Sequence, residues 1–319
     1  MKLIGRSNCK LCGRAGRQLY GGLRDRLFSA PGTWSLRECP EPTCGLLWLD
    51  PEPSEEDIGL LYRNYYTHGA PPASLSWARR AFGRLSGLLL KSTTVIRERK
   101  RLQHLFVDEL RPGDLLEVGC GAGGRLARFA QMGWRVTGQE VDPVAAAEAV
   151  RQSGAEVHVG PLEHLLERGR KFDVIVTNHV IEHVVGPVEF LRTCLAMLRP
   201  GGQVICVTPN ARSWGHHAFG AHWMALDPPR HISLFTAAAL SAAARSAGFD
   251  SLQVFTSCAN VQAFATGSLE IASKGRYDMQ GVPSWRTEAF SMLAQVRALY
   301  AFHKNRDSGD ELILRCQAP

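Results

Sequence analysis

Leu115-Leu116-Glu117-Val118-Gly119-Cys120-Gly121-Ala122-Gly123 decides the fold class of this chain. A strand-length run leads into three glycines at alternate positions, and an amphipathic stretch over 125–132 follows directly. A strand, a glycine turn and a helix in that order let a ligand approach bare backbone and the unpaired N–H groups of a helix N-terminus. Several nucleotide-binding folds share such a loop, so the nearby carboxylates carry the finer reading. Glu117 lies inside the strand, two residues before Gly119, where it faces an ammonium group rather than a pyrophosphate. Glu140 ends the next strand, where a carboxylate accepts both hydroxyls of a ribose.

Outward from this loop, short apolar runs alternate with helical patterns through residues 111–257, the pattern of an α/β doubly wound sheet. Strands are expected over 115–118, 135–138, 156–159, 172–178, 203–207 and 252–255. Helices are expected over 125–132, 145–153, 188–198 and 236–247, the last stopped by Gly248. A seventh strand, 311–316, is placed to pair antiparallel beside 252–255. Residues 51–110 read as a helical linker or cap, opening at Ser54-Glu55-Glu56-Asp57 and continuing as a basic amphipathic stretch from 76. A helical insertion over about 259–310, holding Trp285, Met292 and Tyr300, is expected to fold over the substrate opening as a lid. The expected division is therefore 1–50, 51–110 and 111–319.

The 319 residues carry 37 Lys and Arg against 30 Asp and Glu, a net charge of +7. That balance favours acidic partners such as a phosphorylated or nucleotide-linked small molecule, although a solvated basic surface accounts for an excess of this size. The opening residues contain no apolar leader, and no apolar run approaches the ~20 residues of a membrane span. A cytoplasmic location is expected, where the nine cysteines stay thiols or metal ligands.

Four of those cysteines are paired in sequence. Cys9 and Cys12 have two residues between them, Cys39 and Cys44 are separated by Pro40-Glu41-Pro42-Thr43, and a glycine follows Cys12 and Cys44. Two short-spaced pairs supply the four thiolates that a structural Zn²⁺ takes, leaving no open position for catalysis. A front end of about fifty residues with little core of its own gains stability from such a staple. Cys120, Cys194, Cys206, Cys258 and Cys316 fall in predicted core elements and read as small apolar side chains.

The successive segments Leu115-Leu-Glu-Val-Gly-Cys-Gly-Ala-Gly-Gly124, Val136-Thr-Gly-Gln-Glu-Val-Asp-Pro143, Phe172-Asp-Val-Ile-Val-Thr-Asn-His-Val-Ile-Glu-His-Val184 and Leu198-Arg-Pro-Gly-Gly-Gln-Val204 resemble the motifs of class I S-adenosylmethionine (SAM)-dependent methyltransferases. The resemblance covers residues 111–257 and implies that family's seven-stranded Rossmann-like sheet. It implies that Glu117, Gly119, Cys120 and Gly121 line the methionine end of SAM. Glu140 then holds the ribose and Val141 packs on the adenine. Leu162 offers a backbone N–H to the base, and Asn178 and His179 close over the methionine and the transferring methyl. Pro161 departs from the pattern, standing where many members place an acidic residue for the adenine amine.

The four-cysteine front end followed by Leu61-Tyr62-Arg63-Asn64-Tyr65-Tyr66 is similar to bacterial zinc-containing methyltransferases of sugar and natural-product pathways, among them sugar C-methyltransferases. That likeness implies Tyr65 as a catalytic candidate and Tyr62 and Tyr66 as substrate contacts.

Removing a proton from a hydroxyl or carbon acid calls for a base, and histidine is best matched to neutral pH. Six of the eleven histidines lie between 179 and 231. His231 matches the base of the sugar C-methyltransferases and His179 joins it as a catalytic candidate. Those relatives carry an acid just before the base, whereas Arg230 stands here, an expected anchor for a substrate phosphate or carboxylate, with His222 beside it. His183 and Glu182 read as structural. The leading expectation is methyl transfer to a sugar, sugar nucleotide or natural-product intermediate. The alternatives are an RNA methyltransferase and a SAM-binding protein without activity. Thr177-Asn178-His179-Val180 lacks the Asn/Asp-Pro-Pro-Tyr pattern of base-amine methylation, which argues against a nucleic-acid partner.

Overall fold

The computed structural model describes residues 2–54, 61 and 95–319. Five short strands come first: β1 (Leu3–Ile4), β2 (Arg17–Leu23), β3 (Trp34–Glu38), β4 (Leu47–Leu49) and β5 (Glu52–Pro53). The rest of the chain adds β6 (Asp114–Val118), β7 (Arg135–Glu140), β8 (Glu156–Val159), β9 (Phe172–Asn178), β10 (Leu198–Pro209), β11 (Ser233–Leu234), β12 (Ser251–Ser257) and β13 (Glu311–Gln317). Seven of these form one sheet in the order β12-β13-β10-β9-β6-β7-β8. The central pairs are parallel, and β13 is antiparallel to both of its neighbours. The last strand pairs antiparallel with β12 as expected, and inserts between it and β10.

Side-chain alternation along each strand sorts this sheet into two buried faces. Leu116, Val118, Ile175, Val204, Cys206 and Leu314 pack on one side with Leu191, Leu240 and Ala243 of the helices Pro187–Ala196 and Ala237–Ala247. Leu115, Val174, Val176, Ile205, Val207 and Ile313 face the other side, against Phe106, Phe129 and Trp134. The helix bounds follow from local chemistry. Asp142 accepts from the Val144 amide at 2.9 Å to start Pro143–Ser153, and Thr236 accepts from Ala239 at 3.0 Å to start Ala237–Ala247. β10 begins five residues before the expected strand, because Leu198 rejoins the sheet ahead of the Pro200-Gly201-Gly202 irregularity. The preceding helix therefore ends at Ala196.

The N-terminal residues form a second, four-stranded antiparallel sheet in the order β11-β4-β3-β2. Its fourth strand, Ser233–Leu234, comes from far down the chain, with Ser233 opposite Trp48 and Leu234 opposite Leu47. Trp34, Leu36 and Leu49 share a core with Trp223, Leu226 and Leu234. The module expected over 1–50 is thus closed by the segment that carries His231.

The insertion after β12 contains two helices, Val261–Lys274 and Trp285–Lys304, joined through Val261, Ala298 and Phe302. Helix Val95–Gln103 reaches its base, with Arg99 Nε donating to the Ala259 carbonyl at 2.7 Å. The expected helix start at 54–57, the basic pair Arg79-Arg80, and Tyr62, Tyr65 and Tyr66 fall, apart from Ser54, outside the described residues. Among the described residues, no helix is long and apolar enough to cross a membrane.

Candidate active site

The glycine turn lies at the C-terminal end of β6, where parallel strands leave their ligand crevice. Gly119 has φ +66° and a Cβ there would stand 2.6 Å from Val180 Cγ2, so only glycine fits. Gly121 has φ +53° and a Cβ would meet nothing within 4 Å, leaving its face open to a ligand. Gln139 stitches the cradle together. Its Oε1 accepts from the Gly119 amide at 3.2 Å, and its Nε2 donates to the Gly160 carbonyl at 2.7 Å. The sequence reading passed over Gln139, because nothing at its position distinguishes a bridging amide from an ordinary strand residue.

The carboxylates of this region are unequal. Glu117 is buried; Arg125 Nη1 donates to its Oε1 at 2.7 Å while Oε2 is buried without a partner. Burial, opposed by Arg125, lifts its pKa to about 7. An unpaired oxygen beside an open glycine fits the ammonium of a bound methionine half. Glu140 accepts from the amides of Gly121, Val141 and Asp142 at 2.8, 2.8 and 3.0 Å, which fixes its carboxylate at the end of β7. Val141 is 66% exposed, an apolar face open to a planar base. Leu162 is buried just before the helix Glu163–Glu167, and Cys120 is buried with its sulfur beside Gly138. These groups fit SAM in donor type and placement.

Asn178, the last residue of β9, is half-buried, and His179 just beyond it takes a left-handed backbone, φ 55°, costly for a residue with a side chain. The surroundings impose it. The His179 amide donates to the Val207 carbonyl at 2.8 Å, and its ring lies between Glu182 (Nδ1···Oε1 3.0 Å) and Glu311 (Nε2···Oε1 3.1 Å). Burial opposes its charge, but the two carboxylates win and raise the pKa to about 10. The two carboxylates thus favour the charged form of the His179 ring. The helix Val261–Lys274 and the residue before it contribute here too. Asn260 Nδ2 donates to Glu311 Oε2 at 2.8 Å, and Phe264 lies 6.3 Å from the His179 ring.

His231 is the contrasting histidine. It is buried, and burial is the main reason its pKa falls to about 4. Nδ1 donates to the Ala225 carbonyl at 2.7 Å, which fixes the tautomer and leaves a lone pair on Nε2. Nε2 stands 4.0 Å from Glu182 Oε1 and 3.9 Å from Asp227 Oδ2. The ring meets His183 edge-on at 4.7 Å between centroids. Donor atoms of Glu182, His183 and His231 converge within 4.8 Å of one another. Glu182 and His183, read from sequence as structural, thus belong to the site. The acid missing before His231 in sequence is supplied in space by Asp227 and Glu182.

Arg230 does not face a substrate. Its side chain is fully buried and held by Asp25 and Asp227, so its charge is spent inside the protein. The expected anion anchor is corrected accordingly. His222 is exposed, and His216 lies elsewhere, bonded to Tyr20 Oη at 3.0 Å and stacked on Trp223.

The cysteines form the second centre. The sulfurs of Cys9, Cys12, Cys39 and Cys44 all lie within 4.8 Å of one another, with Cys9–Cys44 at 3.7 Å and Cys12–Cys39 at 3.4 Å. A tetrahedron with Zn–S of about 2.3 Å places its sulfurs about 3.8 Å apart. The wider second pair is drawn in by a turn in which the amides of Cys44 and Gly45 both donate to Glu41 O at 2.9 Å. The four cysteines fit structural zinc.

A family model described as a methyltransferase domain matches residues 93–254. A ubiquinone biosynthesis O-methyltransferase of Caulobacter sp. (strain K31) is 41% identical over 102 residues, covering 30% of this chain and 40% of that protein. The protein of the same name from Cereibacter sphaeroides is 36% identical over 118 residues, covering 34% and 47%. The match thus spans less than half the length of these curated relatives. Among solved structures, the cyclase SpnF superposes with a TM-score of 0.49 at 21% identity, covering 84% of this chain and 97% of that one. A phosphoethanolamine N-methyltransferase of Haemonchus contortus in complex with SAM gives 0.48 at 15% identity, covering 86% and 63%. The family match takes in just over half of the chain, and on that ground the chain belongs to the methyltransferase-domain family, whose members depend on SAM.

Proposed function

We propose that the chain transfers a methyl group from SAM to a hydroxyl oxygen of a small organic acceptor, with His231 as general base. The observation that carries this reading is the state of His231: a neutral imidazole of fixed tautomer, its Nε2 lone pair within 4.0 Å of two carboxylates. SAM, when bound, supplies an electrophilic methyl on a sulfonium. Glu117, Gly119, Cys120 and Gly121 would hold its methionine half; Glu140, Val141 and Leu162 would hold the nucleoside, with Asn178 and His179 flanking the methyl.

The acceptor hydroxyl loses its proton to His231 Nε2 as its oxygen attacks. Glu182, 4.0 Å from Nε2, offsets part of the cost of burying the imidazolium that forms. His179, already a cation, keeps Glu182 ionised and oriented. Oxygen is favoured as the target because a hydroxyl needs this base, and because the curated relatives are named O-methyltransferases. Because Arg230 is committed to two carboxylates, a neutral hydroxylated acceptor such as a sugar, natural-product intermediate or phenol is favoured over a phosphorylated or nucleotide-linked one.

The test is a mass-spectrometric assay of the purified chain with SAM against panels of sugars, nucleotide sugars, phenols and RNA. A methyl ether formed only on neutral hydroxylated compounds is expected. Methylation of RNA, or SAM binding with no transfer to any panel member, overturns the proposal.

A further inference from the structure

The side chain of Arg230 has no exposed surface, yet it carries a full charge through the interior. Asp25, in the loop between β2 and β3, takes Nη1 on Oδ2 at 2.7 Å and Nη2 on Oδ1 at 2.8 Å, a two-pronged pair. Asp227 takes Nε on Oδ2 at 3.0 Å and also pairs with Nη2. Four of the five guanidinium donors-to-acceptor directions are thereby used, and the Phe28 ring lies 4.5 Å from the guanidinium carbon. Asp25 is itself fixed by the amides of Leu27, Phe28 and Ala30, at 2.9, 2.9 and 2.8 Å. Asp25 and Arg230 are 205 residues apart in sequence.

A buried ion pair of this kind is weak evidence for stability, since desolvating the charges offsets much of their attraction. Its geometry, by contrast, is specific, and what it fixes is the chain between two imidazoles. The Arg230 carbonyl accepts from His183 Nδ1 at 3.0 Å. The Asp227 carbonyl accepts the amides of both Arg230 and His231, at 2.9 and 3.1 Å. Just beyond, the chain is held from two sides, by β4 and by the turn Ile181–His183 after β9. Leu49 N donates to Ile232 O at 3.0 Å, and Ile232 N to Glu182 O at 2.8 Å.

We propose that Asp25 is a positioning residue for methyl transfer: through Arg230 it ties the four-cysteine module to the loop that aims His231 and His183. The role assigned to His231 in turnover rests on the function proposed above, whereas the positioning of its ring does not. A direct test compares zinc-loaded full-length wild type with Asp25→Asn, which keeps the size of the side chain but removes its charge. Arg230→Lys serves as a second variant, retaining the charge but not the two-pronged fork.

Ring nitrogen and proton resonances of His231 report its tautomer, and zinc content and SAM affinity are measured alongside. In wild type a single Nδ1-protonated tautomer is expected. In at least one folded, zinc-loaded variant the ring should become a tautomer mixture with SAM affinity within about twofold, and kcat should fall about 10–100-fold with little change in KM for SAM. Asp25→Glu should recover part of that loss. An unchanged His231 ring in both variants overturns the positioning role. A shifted ring in a protein whose wild type methylates none of the acceptors supports the positioning while removing the base assignment.

Discussion

The seven-stranded sheet and the N-terminal cysteine module solve the same problem, holding polar groups at a site, by opposite means. In the sheet the decisive neighbours are close in sequence: Glu117, Gly119, Gly121 and Glu140 lie within one strand-turn-helix-strand unit. In the module they are remote. β4 pairs with Ser233–Leu234, Asp25 with Arg230, and the Cys44 carbonyl with the Thr236 hydroxyl that caps a helix. The cofactor cradle is fixed chiefly by neighbours within one unit. The loop that aims His231 depends on chain from both ends of the molecule.

The largest expected effect that separates these regions is loss of the metal. Stripping zinc with a chelator, or changing Cys9 to Ser, removes a centre of the kind that contributes folding energy outright. Turnover should be lost, while SAM affinity in calorimetry stays within about tenfold, because the glycine cradle sits on the other sheet. If SAM binding and turnover vanish together, the two regions fold as one and the comparison fails. A smaller effect with the opposite pattern is expected from Glu140→Ala. SAM should bind about 10–100-fold more weakly, the scale of hydrogen bonds to a charged group, with zinc content and the His231 ring unchanged.

A subtler outcome concerns pH. His231 has its pKa lowered to about 4, so its proton-accepting form persists as pH falls and is lost only near that value. The acid limb of kcat should therefore lie well below the ~6.5 of an ordinary histidine. His179, raised to about 10, stays protonated across that range and adds no inflection. An acid limb near 6.5 would mean that the ring is solvated during turnover and less tightly held than its contacts indicate.

The same division explains what the sequence disclosed. The strand-turn-helix at 115–132, the later strands and helices, and the helical character of the insertion after β12 were legible because period, caps and glycines act over a few residues. The strand end at Asn178 and the helix stop at Gly248 fell where expected. The cysteine set was legible too, even with its wider second spacing, since a turn at Glu41 closes the gap. What stayed hidden depends on distant partners. Nothing near Arg230 shows that Asp25 neutralises it, and nothing near His179 shows that Glu311 keeps it charged. Lone histidines and arginines read alike until their carboxylates are found. The acid sought beside His231 was absent at 230 but present at Asp227, whose carboxylate the turn at 228–230 brings to 3.9 Å from the ring.

The most direct test of the account is methyl transfer from isotopically labelled SAM to the acceptor identified by mass spectrometry, in wild type and in His231→Ala, with SAM affinity measured on both. The account predicts SAM binding within about twofold of wild type and turnover lower by about 10²–10⁴-fold, the usual scale of a general base. Full turnover by His231→Ala would contradict it.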